Sequence, residues 1–447
     1  MSSAAPLPKR IVNGYGLGSI ATGTFGTVPG LLLLPYLTDA LGVAAGVAGL
    51  IVFVPKAWDV VMNPVAGRIS DRSTNPAGRR RPFLLKGGLT LAFCFALMFA
   101  GPTAPPALAA GWVVLLFLLC ATAYAFFQVP YFAMPAEMTQ DYRERTALMT
   151  PRVAIIALAI LISGATAPLI VDAFGHKSAA GYRAMGVYVA LLLTAGVVGA
   201  WWATKGAPEH RIPSVEEGLR DQVRAVNENT DFRALLLTFV LQALAVGVML
   251  AGVAYVAKDL LEKKSAASLL FVAFVGPALI VTPLWARYAH RRGKLRGWVW
   301  SSVFMLVGMV LLFVALAGQQ WLVYPAAAVV GVGYSGAQIL PMAMFADAAS
   351  HNPTGRDENR IGLFSGVWTA AETLGLALGP AFFAIILAVG GYVSSTADES
   401  VEQPGSARWA IRLGFTILPA ALVALSLVPL RGYRLDSRLA PRETIAG

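Results

Sequence analysis

The sequence predicts an all-α, polytopic membrane protein, with twelve transmembrane helices in two pseudo-symmetric six-helix bundles. Three observations predict it. Apolar runs recur from one end of the chain to the other, each close to the roughly 20 residues that an α-helix needs to cross about 30 Å of hydrocarbon. Only 13% of residues are charged while 57% are hydrophobic, and the mean hydropathy is +0.65. Soluble domains carry about 25% charged residues, and no protein core of this length absorbs so much apolar surface. The longest polar interruption, 205–231, falls near the middle of the 447 residues, with six runs on either side.

The first run, near 12–38, follows a short segment ending in Lys9-Arg10. It continues for about 25 residues, too long for the apolar region of a cleaved signal peptide, so it reads as a span. The second, near 44–66, carries Lys56 and Asp59 within it. The third and fourth, near 83–103 and 110–136, hold Cys94 and Cys120, which read as small core residues without disulfide or metal-ligand spacing. The fifth, near 151–173, opens on Pro151-Arg152, and the sixth, near 183–204, completes an N-terminal bundle of residues 1–204. Residues 205–231, with Pro208, Pro213 and a charged amphipathic stretch, form a central cytoplasmic loop. The C-terminal bundle and its short tail, 232–447, hold runs near 232–257, 268–286, 297–317, 321–346, 361–390 and 408–430. Prolines inside the runs (Pro29, Pro35, Pro55, Pro130, Pro277, Pro380) are tolerated where neighbouring helices satisfy the freed backbone groups.

With the N-terminus in the cytoplasm, alternate loops place 25 of the 35 basic residues on the cytoplasmic side and seven on the other. Lys and Arg resist translocation, so both termini are expected inside an inner (cytoplasmic) membrane. The same bias accounts for the net charge of +11. No Arg/Lys stripe interleaved with stacking aromatics points to nucleic acid. The halves also echo each other. Asn63-Pro64 with a basic loop after the second run matches Thr282-Pro283 with a basic loop after the eighth. Pro135 before Asp141 and Arg143 matches Pro341 before Asp357 and Arg360. Paired repeats of this kind build many secondary transporters, with the binding site at mid-membrane.

A charge inside a span costs a few kcal/mol or more, so Asp59 marks a functional site. Lys56, three residues earlier, shares its helical face and can pair with it. The pair either staples helices or forms a cation or proton site for which Lys56 competes. Glu372 is a second intramembrane acid, about 11 residues, or roughly 16 Å, into its run. No GxxxxGK[ST] nucleotide loop occurs, and none of the four histidines lies in HExxH spacing. Neither a cofactor, a metal nor an enzymatic activity is expected. Tyr15, Trp58, Tyr131, Tyr334 and Trp368 offer surfaces on which a sugar can stack, or else pack as core.

The second run and the loop after it read Pro55-Lys56-Ala57-Trp58-Asp59, then Asn63-Pro64, Gly67-Arg68-Ile69-Ser70-Asp71-Arg72 and Gly78-Arg79-Arg80-Arg81-Pro82. With Tyr15-Gly16-Leu17-Gly18, Tyr36-Leu37-Thr38-Asp39, Val129-Pro130-Tyr131, Pro151-Arg152, Leu374 to Pro380 and Gly391-Tyr392, this segment resembles the glycoside–pentoside–hexuronide:cation symporter family of the major facilitator superfamily. The resemblance implies the major facilitator fold, a monomer, and cation-coupled symport of a sugar or glycoside by alternating access. Asp59 matches the first of two aspartates that form the cation site in sodium-coupled relatives, and Asn63 stands at the second. A hard cation wants several charged oxygen ligands, whereas a lone carboxyl group in a low-dielectric site can carry a proton. A proton is therefore expected ahead of sodium, and uncoupled facilitation third. Arg152 matches a sugar-holding arginine. Gly23 and Gln128 stand where relatives carry aspartates, and Thr373 where many carry lysine. Gln128 both donates and accepts, which suits a neutral hydroxylated solute. Arg68, Asp71 and Arg72, with Arg143 and Arg145, resemble the superfamily's cytoplasmic gate, although anionic-lipid contact would retain the same arginines. Lys56 is expected to exchange between Asp59 and Glu372.

The expected partners are a small-molecule substrate and the lipid bilayer. Two alternatives stand beside the sugar reading. A carboxylate-poor site also suits an amphipathic or lysolipid-like solute, and a non-transporting sensor would keep the fold without flux.

Overall fold

A computed structural model describes residues 7–75, 78–139, 142–174, 178–208, 228–263, 265–350, 360–396 and 401–433. Twelve helices among them are long and apolar enough to cross a membrane. They are α1 (Lys9–Ala40), α2 (Ala45–Asp71), α3 (Arg81–Phe99), α4 (Pro106–Met138), α5 (Tyr142–Ala173) and α6 (Ala179–Ala203). There follow α7 (Thr230–Leu261), α8 (Ala266–Arg292), α9 (Lys294–Gly318), α10 (Val323–Ser350), α11 (Arg360–Val389) and α12 (Gly405–Leu430). The fold is all-α and polytopic, as the apolar runs predict.

The ends of the helices are where sequence and structure part. α2 continues to Asp71 and α8 to Arg292, beyond the apolar windows, because backbone hydrogen bonding continues once side chains reach a polar phase. α3 stops at Phe99 rather than 103, where Gly101-Pro102 cannot continue it. α1 and α7 each finish in a π-helical turn, Tyr36–Ala40 and Val256–Leu261. Of the expected central loop, residues 209–227 lie outside the described residues.

The chain clusters into two compact units, one of residues 1–215, 253–269 and 380–410, the other of 216–252, 270–379 and 411–447. α7, α8, α11 and α12 therefore contribute residues to both. The first unit is built on aromatic packing. Phe25 of α1 lies 6.2 Å from Phe95 of α3, and 6.4 and 4.6 Å from Phe117 and Tyr124 of α4 (ring centroids). In the second unit, Phe232, Phe239, Trp285, Trp298 and Trp368 share one buried cluster. A neutral polar network lies in the same unit. Gln242 donates to Ser302 and Ser426 at 2.9 and 3.1 Å and accepts from Trp298 Nε1 at 2.9 Å, satisfying a buried amide in a place where water cannot. α7 and α11 approach backbone to backbone. A Cβ on Gly379 would lie 2.2 Å from the carbonyl carbon of Gly247, the small-residue contact by which membrane helices gain packing.

Candidate functional site

The site is built on α2, with α1 and α4 behind it. Lys56 and Asp59 share one face of α2, with Nζ 3.9 Å from Oδ2. Asp59 is only 3% exposed. The Lys56 ammonium also lies 4.8 Å from the ring centroid of Phe25 and 5.9 Å from that of Tyr124, so two aromatic faces compete with the carboxylate for it. At 3.9 Å the ion pair is longer than a hydrogen bond. The other carboxylate oxygen, Asp59 Oδ1, is buried and has no hydrogen-bond partner among the described residues. The arrangement is an interior acceptor with an open lone pair beside a cation held by other forces, which suits it to take up a proton or share a cation. Asn63, one turn further on, is half-buried and offers a neutral amide oxygen. Among the described residues no group of three or more His, Cys, Asp or Glu is placed to hold a metal ion. Trp58 fixes this stretch of α2 to α4, its Nε1 donating to Thr122 Oγ1 at 3.1 Å.

The residues expected to bind substrate fall into two groups. Tyr15 and Tyr131 are fully buried and lock α1 to α4 reciprocally. Each hydroxyl donates to the other residue's carbonyl, at 3.0 and 2.8 Å, and the rings stack at 4.6 Å. Gly23 packs against α5, where a Cβ would lie 3.0 Å from the Ile156 carbonyl oxygen. Trp368 is enclosed in the second unit's core, stacked on Phe239 at 4.4 Å. Thr373 Oγ1 donates to the Thr369 carbonyl of its own helix at 2.9 Å. These side chains are engaged in packing. Gln128 and Arg152 are half-buried. The Arg152 guanidinium lies 4.4 Å from the centroid of Phe132 and 5.9 Å from that of Tyr131. Its Nε is buried without a hydrogen-bond partner among the described residues. Glu372 is half-buried in α11 and belongs to the second unit, whereas Lys56 and Asp59 belong to the first.

At the C-terminal end of α2, the expected gate is centred elsewhere than its motif suggests. Arg68 and Arg72 are exposed, and the side chains of Arg143 and Arg145 lie outside the described residues. Asp71 instead pairs with Arg80 and lies 3.6 Å from Arg79. Arg80 donates through Nε and Nη2 to Glu137 Oε1 at 3.0 and 2.9 Å, and through Nη1 to Ser70 Oγ at 2.6 Å. Arg79 adds a 3.4 Å contact to Glu137. A two-pronged guanidinium clamp of this kind fixes α2, α3 and α4 in one arrangement. Arg79 and Arg80 stand in the motif and Glu137 at the end of the fourth run, but the sequence alone assigns them no role. Their only signal there is that an acid inside an apolar helix end needs a cation.

Twelve apolar helices with an ion pair inside one of them define a polytopic membrane transporter. The chain belongs to the MFS/sugar transport protein family, the glycoside–pentoside–hexuronide:cation symporter branch of the major facilitator superfamily, whose pattern it matches over residues 14–437. It is 27% identical over 433 residues to YagG of Escherichia coli (strain K12), whose name marks it as a candidate glycoside/cation symporter, covering 95% of this chain and 92% of that one. It is also 22% identical over 468 residues to the sodium-dependent lysophosphatidylcholine symporter 1-A of Danio rerio, covering 94% and 85%. Among solved structures it superposes on a bacterial homologue of the human drug peptide transporters PepT1 and PepT2, with a TM-score of 0.67, 14% identity and coverage of 96% and 98%. At that identity the likeness shows the fold.

Proposed function

We propose that the protein is a secondary active transporter that couples uptake of a sugar or glycoside to a cation, a proton ahead of sodium, by alternating access. One observation carries the coupling: the open oxygen of Asp59 beside a loosely held Lys56. A proton on Oδ1 neutralises the carboxylate and releases Lys56 toward the aromatic faces of Phe25 and Tyr124. Loss of the proton draws the ammonium back. A group that cycles between these states biases whichever conformation exposes it. The donor set favours the proton, because Asp59 and Asn63 together supply a single negative charge. For the solute, half-buried Gln128 and Arg152 offer an amide and a guanidinium, groups that suit hydroxyl and ring oxygens. The name of the Escherichia coli relative supports the same class.

The test is transport in proteoliposomes with a pH-sensitive dye inside. An inward glycoside gradient is expected to acidify the lumen without sodium present. Strict sodium dependence with no proton movement would reverse the order of the ions. Counterflow of labelled glycosides against labelled lysophosphatidylcholine decides the solute. Exchange of the lysolipid alone would overturn the sugar reading.

A further inference from the structure

Where α1 and α7 end in their π-helical turns lies a polar cluster that coupling at Asp59 does not use. π-helical turns recur at functional sites because the extra residue redirects the side chains around it. Here they present Asp39 and Asp259. Lys258 Nζ donates to Asp39 Oδ2 at 2.8 Å and to the Tyr392 hydroxyl at 3.1 Å, and lies 3.6 Å from Asp259 Oδ1. The Tyr392 hydroxyl donates in turn to Asp39 Oδ1 at 2.7 Å. Both Asp39 oxygens are therefore taken, and the residue is 3% exposed. Beside it the hydroxyls of Thr38 and Tyr255 are 2.7 Å apart, and the Ser395 amide donates to the Thr38 carbonyl at 2.9 Å. Leu41 and Thr396 add an isolated antiparallel bridge. Gln403 pins the segment after α11, exchanging two bonds with the Val393 backbone at 2.8 and 3.0 Å. Burial, and then the Asp39 carboxylate, push the Tyr392 pKa well above its ordinary value, so the hydroxyl stays a donor.

All these residues lie in the first unit. Even so, Thr38, Asp39 and Leu41 come from the first half of the sequence, and their partners come from α7 and the segment after α11. These two helices leave the second unit at Gly252 and Gly379. We propose that Asp39, Lys258 and Tyr392 form a latch that holds the ends of α1, α7 and α11 together and breaks when that face opens. The proposal rests on the alternating-access reading above. The chemistry of the bonds distinguishes a latch from a staple. The Gln242 network is neutral, and its amide and hydroxyls recover far less hydration on exposure than a full charge does. Asp39 and Lys258 are ions, and each recovers its hydration when separated into water, so the open and closed arrangements differ little in free energy.

The experiment places spin labels on Ala44→Cys and Ser406→Cys, both exposed positions flanking the cluster, in the full-length protein in nanodiscs. Cys94 and Cys120 are buried and stay unlabelled. The parent is expected to show mainly one short distance. In Lys258→Met, which leaves Asp39 buried without its cation, the ratio of long to short distances rises at least about tenfold. Tyr392→Phe removes one hydroxyl and gives a smaller rise, about threefold. It carries the test if Lys258→Met does not fold. The exchanged pair, Asp39→Lys with Lys258→Asp, returns the distribution toward the parent's. A distribution unchanged in both single variants overturns the latch. The readout needs no solute, so a protein that exchanges no glycoside yet opens on Lys258→Met keeps the latch and loses the sugar reading. Glycoside uptake with unchanged distances loses the latch alone.

Discussion

Asp59 and Gly23 both face the interior, with opposite chemistry. Among the described residues, the desolvation of the Asp59 carboxylate is opposed by one ammonium 3.9 Å away, and a charge there costs several kcal/mol, so its presence points to a role. Asp59→Asn keeps the volume and removes the titration. Glycoside accumulation against a gradient is therefore expected to disappear, while counterflow, which needs no net coupling, persists. Loss of both together would assign the residue to folding or to the solute. Gly23 answers whether a relative's sugar-binding aspartate can be restored here. A Cβ at this position would meet the Ile156 carbonyl oxygen at 3.0 Å and the Ala159 Cβ at 3.1 Å, so α1 and α5 would have to separate. Gly23→Asp is expected to lower the unfolding free energy by about 1–3 kcal/mol, read from denaturant melts in detergent.

Among the helices, the clamp at the foot of α2 ties three of them together through buried charges. Arg80 is 7% exposed and Glu137 6%, so removing either partner leaves the other charge buried. Because Arg79 still faces Glu137 at 3.4 Å, Arg80→Ala is expected to cost about 1.5–3 kcal/mol, with Arg80→Lys recovering part through its single ammonium. An unchanged melting midpoint in Arg80→Ala would mean that the clamp contributes nothing in the membrane. The π-helical ends of α1 and α7 stand some 220 residues apart, and each holds a tyrosine and an aspartate within six residues (Tyr36 and Asp39, Tyr255 and Asp259). This is a third correspondence at the offset already seen between the loops after α2 and α8, and the structural form of the repeat lies in these turns as much as in the loops.

For the molecule as a whole, the distribution of basic residues makes a claim about sidedness. Both termini are proposed to lie in the cytoplasm. A fluorescent protein fused after Gly447 is then expected to fluoresce, and alkaline phosphatase fused after Ala104, between α3 and α4, to be active. The reverse pattern would invert the topology and place the Asp39 cluster on the cytoplasmic face. Much of the architecture is legible in the chain alone. Hydropathy sums over about 20 neighbouring residues, so each span announces itself locally. Lys56 and Asp59 are legible for the same reason, being charges set against an apolar background at a helical spacing. Tyr15, Tyr131 and Trp368 are not, since an aromatic inside an apolar run looks identical whether it meets a solute or another helix. The structure commits the two tyrosines to each other's backbones and the tryptophan to Phe239.

The sequence by itself determined that this chain lives in a membrane, how many times it crosses, and which carboxylate stands inside a span. Those are properties of adjacent residues and of the cost of burying charge. Tertiary structure alone decided the partners. Arg80 finds Glu137 across 57 positions, Lys258 finds Asp39 across 219, and the two aromatic faces beside Lys56 arrive from α1 and α4. A buried polar group must be satisfied by whatever the fold brings within about 3 Å, and no pattern along the chain records which residue that is.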